Sequence, residues 1–220
     1  MSNYLVVVLN GPPGCGKDTL AEYIAFNGHP FYMFGEHRTL VYHEKFAEPI
    51  KDALSAFLDI SRDELEFNKN IPGLLPNNQS IRRSLITMSE EWAKPTFGNG
   101  IFGTMLGKKI ERYVTRSKGK FIRQDPKQLY IISDSGFYEE LEALEELHPG
   151  KVRLIRIGRD GCTYEGDSRS YLFNVPLRVK AVDIGNNSTK EAFYKEATKV
   201  ITEWCNEQFS GTVSRVPAQS

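Results

Sequence analysis

Apolar positions along the chain follow two distinct periods. Residues 5–9 (Leu5-Val6-Val7-Val8-Leu9) form an unbroken, valine-rich run. Alternate side chains of a strand point to opposite faces, so such a run predicts a strand buried on both sides. A glycine-rich turn follows, and then Leu20, Tyr23 and Ile24 recur at helical spacing. Phe46, Ile50, Ala53, Leu54, Phe57 and Leu58 predict a second helix. Pro49 falls in its first turn, where no intrahelical N–H is required. Residues 68–80 carry Asn, Pro and Gly and predict a loop. Ile81, Leu85, Met88 and Trp92 predict a third helix, and Met105, Leu106, Ile110, Tyr113 and Val114 another. Between them, residues 94–103 are broken by Pro95 and three glycines.

The second half alternates more regularly. Short apolar strands are predicted over 129–132, 152–157 and 179–184. Leu141, Leu144 and Leu147 predict a helix stopped by Pro149-Gly150. Residues 158–175 are polar and read as a mobile loop. Ser188 and Glu191 fit a capping box for a last helix bearing Phe193, Ala197, Val200, Ile201 and Trp204. Phe209 falls just past that pattern, and residues 210–220 read as a flexible tail. Strand–helix alternation predicts an α/β fold with a parallel sheet covered by helices. One domain spans 1–209, with a core over about 1–60 and 129–209 and a helical excursion over about 61–128.

Composition narrows the function classes. The 220 residues hold 28 basic and 28 acidic side chains, so the formal net charge is zero. A broad nucleic-acid or membrane surface would favour a basic excess, and neither partner is expected. The run at 5–9 is too short to span a bilayer, and no charged segment precedes it as in a signal peptide. Cys15, Cys162 and Cys205 form no metal-ligand pair and suggest reduced thiols in a cytoplasmic compartment. His29, His37, His43 and His148 have no metal spacing and read as structural or surface residues.

One motif carries chemistry. Gly11-Pro12-Pro13-Gly14-Cys15-Gly16-Lys17 matches G-x-x-x-x-G-K between a predicted buried strand and an amphipathic helix. Its glycines let successive backbone N–H groups face phosphate oxygens, and the following helix aims its positive end at the same anion. Lys17 adds a point charge for the β- and γ-phosphates, and Thr19 can donate to an α-phosphate oxygen. Asp18 stands where Ser or Thr usually places a hydroxyl on Mg²⁺. Its carboxylate suits magnesium directly or through water, or caps the helix. Asp134 ends a strand at the side where open α/β sheets bind ligands, so it is placed with magnesium or the acceptor. Phosphoryl transfer needs cations around the moving group. Arg82 and Arg83 start the third helix, while Arg156, Arg159, Arg169 and Arg178 cluster in or near 158–175. That loop is therefore expected to act as a lid, with Arg159 and Arg169 as catalytic cations.

Several strings together resemble a known group. They are Gly16-Lys17-Asp18-Thr19, Lys45-Phe46-Ala47-Glu48-Pro49-Ile50-Lys51, Ser133 through Glu140, and Ile184-Gly185-Asn186-Asn187-Ser188. With an arginine-containing helix at 81–92, they make residues 5–209 resemble the bacteriophage deoxynucleoside monophosphate kinases, within the P-loop nucleoside monophosphate kinases. The resemblance implies a P-loop kinase fold with a helical acceptor-binding excursion and a lid. It implies ATP and Mg²⁺ as cofactors, bound through Gly11, Gly14, Cys15, Gly16, Lys17, Asp18 and Thr19, with Asn186 and Asn187 by the adenine. Lys51, Arg82 and Phe137 would face a deoxynucleoside monophosphate, and Asp134 would serve magnesium and catalysis. The implied role is supply of DNA precursors, in the host cytoplasm if phage-encoded, with a homodimer left open. Relatives often carry Asp-x-Arg-Phe where this chain has Asp134-Ser135-Gly136-Phe137, so a phosphate contact is either lost or supplied from elsewhere. Two other readings stay open: another P-loop small-molecule kinase, such as a dephospho-coenzyme A kinase, and a nucleotide-dependent switch that transfers nothing.

Overall fold

The computed structural model describes residues 3–26, 31–34, 37–75, 78–117 and 127–209. The apolar run forms β1 (Tyr4–Asn10), flanked on both edges by parallel partners. The other strands are β2 (Phe31–Phe34), β3 (His37–Glu44), β4 (Lys127–Ser135), β5 (Val152–Gly158) and β6 (Lys180–Gly185). Their order in the sheet is β2-β3-β4-β1-β5-β6. Every pairing is parallel except β2 with β3. The fold is thus α/β, a five-stranded parallel sheet with one antiparallel edge strand and helices on both faces.

Period-two alternation along β1 divides the core. Leu5, Val7 and Leu9 pack with α1 (Lys17–Phe26) and α8 (Lys190–Phe209). Val6 and Val8 pack on the other face with α2 (Glu48–Leu58), α6 (Ile101–Ser117) and α7 (Tyr138–Leu147). α6 therefore belongs to the core layer, because Phe102, Leu106 and Ile110 are buried against the sheet. Of the helices predicted for the excursion, α6 thus leaves it, and the described remainder still reaches the sheet core through Leu85, Met88 and Ala93. This remainder comprises α3 (Arg62–Asn68), α4 (Ile81–Ile86), a π-helical segment Thr87–Ala93 and α5 (Lys94–Phe97). Leu54, Leu65 and Ile81 tie it to α2 as a small separate core.

Several expectations are corrected. Strands β2 and β3 carry no clear period-two signal, and β3 lies one strand from the sheet edge. α3 begins at a true capping box, Ser61 with Glu64, just before the stretch taken as loop. The last helix is capped one residue later than predicted: Ala192 N–H donates to Thr189 Oγ1 at 3.2 Å, and the helix starts at Lys190. Phe209 is the last helical residue and is 1% exposed, because it closes the core beneath α8. Trp92 leaves the predicted apolar face and is half exposed, because the π-helical segment shifts the helical register. The predicted tail at 210–220 and the end of the excursion at 118–126 lie outside the described residues.

Asn10, at the end of β1, is fully buried. Its Nδ2 donates to Tyr164 Oη and Ser170 O, both at 3.0 Å, and to Ser135 O at 3.3 Å. Its Oδ1 accepts from Leu172 N–H at 3.0 Å. Residues 164–172 are thereby strapped across the ends of β1 and β4. Asn10→Ala leaves buried groups unpaired, and each such group costs roughly 1–3 kcal/mol. We expect a lower urea midpoint, with the first protease cuts inside 158–175. An unchanged midpoint and cleavage pattern would show that the strap holds without Asn10.

Candidate active site

The turn after β1 runs directly into α1, and the first N–H groups of a helix have no partner inside it and suit an anion. Gly16 has φ +108°, and a Cβ there would lie 2.6 Å from Asn186 Nδ2. That close approach lets Asn186 Nδ2 donate to Cys15 O at 2.8 Å and brace the loop from the end of β6. Lys17 is 6% exposed and donates to the carbonyls of Gly11 and, at 2.8 Å, Pro12. Burial is the main cause that lowers its ammonium pKa.

Two carboxylates stand beside the loop in different settings. Asp18 Oδ1 accepts from Ser133 Oγ at 2.7 Å and pairs with Lys45 Nζ at 2.8 Å. His43 Nε2 lies 2.8 Å from the same Ser133 hydroxyl, so a histidine read as structural or surface belongs to this chain of contacts. Burial works to raise the Asp18 pKa, but the hydrogen bonds from Lys45 and Ser133 and the Lys45 charge outweigh it and lower it. Asp134 accepts from Phe46 N–H at 2.8 Å and from Ala47 N–H at 2.9 Å, one on each oxygen. It thus ties the end of β4 to the start of α2. Burial raises its pKa, against those two N–H donors and the charges of Lys51 and Lys45.

Two cavities meet at Asp134. The first, about 370 Å³, is lined by Gly14, Gly16, Lys17, Asp18, Thr19, Lys45, Ser133 and Arg159. The second, about 230 Å³, is lined by Phe46, Ile50, Leu85, Ile86, Phe102 and Phe137, with Ser89, Glu90 and Glu140. Both are lined by Ala47, Lys51, Lys69, Arg82, Asp134 and Arg169. Four cations thus stand on the shared wall. Glu66 holds two of them, with Lys51 Nζ at 2.6 Å and Lys69 Nζ at 3.4 Å. Arg159 Nη1 donates to Gly14 O at 3.1 Å. Arg169 pairs with both oxygens of Asp167, at 2.9 and 2.7 Å, and these side-chain hydrogen bonds, helped by the Arg169 backbone N–H and charge against burial, hold that carboxyl down at about 2.

Most of the residues singled out in the sequence line these cavities. Gly11 and Cys15 support the loop from behind, Cys15 being fully buried. Asn186 braces the loop, and Asn187 is hydrogen-bonded to Asp160 in both directions, at 2.8 and 2.9 Å. Neither asparagine lines either cavity. Lys69, Lys94, Glu90, Glu140 and Asp167 were not foreseen. Lys69 caps the end of α3 inside the stretch 68–80 that reads as loop, and Lys94 sits in a stretch broken by proline and glycine. For magnesium, Asp18 and Asp134 present hard oxygen at the rim of the phosphate-loop cavity, and Asp18 is open to solvent. Among the described residues there is no cluster of three or more His, Cys, Asp or Glu that could form a dedicated cage. This set fits an ion that keeps its waters and takes most of its ligands from phosphates. No helix of the described residues is long and apolar enough to cross a membrane.

No protein-family model matches the chain, and no curated protein matches it. Two solved structures align along nearly all of it. A gluconokinase from Sinorhizobium meliloti is 12% identical, over 96% of this chain and 99% of its own, with a TM-score of 0.46. A dephospho-CoA kinase from Campylobacter jejuni is 16% identical, over 93% of this chain and 98% of its own, with a TM-score of 0.39.

Glu140 gives the site a pH signature. It is 3% exposed, with Lys94 Nζ 3.5 Å away; burial, outweighing Lys94, pushes its carboxyl up to about 8. The unfolded chain releases this proton near the ordinary carboxylate value, whereas the native protein keeps it. Stability therefore falls as pH rises through that window and levels off above about pH 8. Glu140→Gln removes this dependence. Its advantage over the parent is expected to grow from near zero in acid to roughly 3–5 kcal/mol above the window. Melts across that range test this; a pH-independent difference would mean that Glu140 is already ionised at neutral pH.

Proposed function

We propose that this protein transfers the γ-phosphoryl group of ATP to a small phosphorylated acceptor, and that the acceptor is a deoxynucleoside monophosphate. The observation that carries this reading is the shared cationic wall. Lys51, Lys69, Arg82 and Arg169 line both the phosphate-loop cavity and its partly apolar neighbour. A donor phosphate on one side and an acceptor phosphate on the other would repel each other strongly. Cations between them offset that repulsion and hold the reacting oxygens together.

In this reading the loop N–H groups and Lys17 hold the donor phosphates, with Lys17 turning from the Gly11 and Pro12 carbonyls. Magnesium, when bound, neutralises charge on the β- and γ-oxygens. Asp18, kept ionised by Lys45 and Ser133, orients water at that position, and Asp134 does so from the end of β4. An acceptor phosphate oxygen is already anionic near neutral pH, so the attack needs no strong general base. That suits Asp134, whose two oxygens are engaged by backbone N–H groups. A hydroxyl acceptor, as on a sugar acid, would need a freer carboxylate. Phe46, Phe102, Phe137 and Leu85 give the second cavity an apolar lining suited to a planar base. The deoxyribose preference and a role in DNA-precursor supply in the cytoplasm of a phage-infected cell rest on the motif resemblance.

A coupled ADP-release assay across deoxynucleoside and ribonucleoside monophosphates, dephospho-coenzyme A and gluconate tests the proposal. Deoxynucleoside monophosphates should stimulate ADP release well above the acceptor-free rate. Stimulation by dephospho-coenzyme A or gluconate alone would replace the acceptor, and none at all would leave a nucleotide-dependent switch. Lys17→Ala should lower turnover by about 100-fold or more with the fold intact by circular dichroism. Asp134→Asn turns one amide N–H₂ toward a backbone donor, so it should lower kcat by about 10- to 100-fold with little change in the KM for ATP. A rise confined to that KM would remove Asp134 from the transfer step.

A further inference from the structure

We propose that Gly136 and Asp167 are positioning residues that seat Arg169 permanently on the wall between the two cavities. A Cβ added at Gly136 would lie 2.3, 2.5 and 2.8 Å from Cβ, Cγ and Cδ of Arg169. The aliphatic stem of the arginine thus occupies the space that a side chain at 136 would take. A side chain at 136 would therefore displace the stem from its base. Ser170 N–H donates to Gly136 O at 3.0 Å, and Asn10 Nδ2 holds Ser170 O at 3.0 Å, so the backbone on one side of Arg169 is fixed to β4 and β1. Asp167 fixes the other end. It accepts from the Arg169 backbone N–H at 3.0 Å and grips the guanidinium through Nε and Nη2. Backbone and side chain of this arginine are therefore set before any motion of residues 158–163. The loop thus delivers Arg169 as a resident cation, held by more contacts than Arg159, whose hydrogen bond goes to Gly14 O at 3.1 Å.

This inference rests on the proposed transfer reaction for its catalytic consequence, but its geometry can be read without it. Gly136 has no left-handed φ, so alanine suits its backbone and acts only through what the new methyl group meets. Binding of inorganic triphosphate, measured by calorimetry, reports the cationic wall even if no acceptor is phosphorylated. Gly136→Ala should weaken triphosphate binding, and lower kcat with the best acceptor, by about 10-fold or more, close to the effect of Arg169→Gly. In the double variant the methyl group meets no arginine, so Gly136→Ala should add nothing to Arg169→Gly. Asp167→Asn, which keeps size but loses charge, should fall between parent and Arg169→Gly with an unchanged melting temperature. Additive losses in the double variant, or parent-like triphosphate binding by Gly136→Ala, would overturn the proposal. If triphosphate binding follows this pattern but no acceptor is turned over, the positioning stands and the transfer reading falls.

Discussion

Asn10 is the last residue of the central strand, and its amide is sealed from water. A buried amide must find every partner inside the protein, and the partners it finds come from three different places. One is the end of β4, beside the Asp134 carboxylate. The others are in the strap 164–172, on both sides of Arg169. The residue after Asn10 begins the phosphate loop. One side chain therefore fixes the relative positions of the loop, the strand-end carboxylate and the strap arginine. A hydrophobic residue of similar size would fill the same volume and leave each of those elements to find its own position.

The core was legible because burial on two faces leaves a plain trace. The run at 5–9 and its counterpart Leu129–Ile132 on β4 have no polar interruption, as befits a sheet covered on both sides, and β5 keeps Val152, Leu154, Ile155 and Ile157 apolar around Arg153 and Arg156. The helices on the sheet showed their stripes for the same reason. β2 and β3 did not: β2 is only four residues long, and β3, one strand from the edge, mixes polar and apolar residues as a loop does. α3 was hidden because its pattern spans only seven residues, with Leu65 its single buried member.

The candidate site divided along similar lines. The loop at 11–17 and Asp18 stood out as candidates because the motif sets residue types at fixed spacing, and Asp134 because it ends a predicted strand. Lys69, Glu140 and Asp167 were not, because each matters through a neighbour distant in sequence. Gly136 is the clearest case. In the sequence it reads as a lost arginine, yet in the fold an arginine 33 positions later lies across it. The asparagines after β6 make contacts the sequence does not announce: Asn186 braces the loop at Cys15 O, and Asn187 pairs with Asp160.

The π-helical segment at 87–93 has a consequence for register. In an α-helix, a step of four residues overshoots a full turn by about 40°. A helix with i→i+5 bonds has wider turns, so the same step falls short. Joining α4 to a π-helical stretch lets the two drifts cancel. Arg82, Ile86 and Glu90, spaced by four, therefore all line one cavity, and Lys94 continues the row to reach Glu90 at 3.0 Å. Composition within this stretch is free to vary wherever a side chain faces water. Its length is not: losing or gaining one residue would turn everything beyond it by about 100°. Lys94 would then swing away from Glu140 and the floor of the cavity, so the count of residues here is itself part of the site.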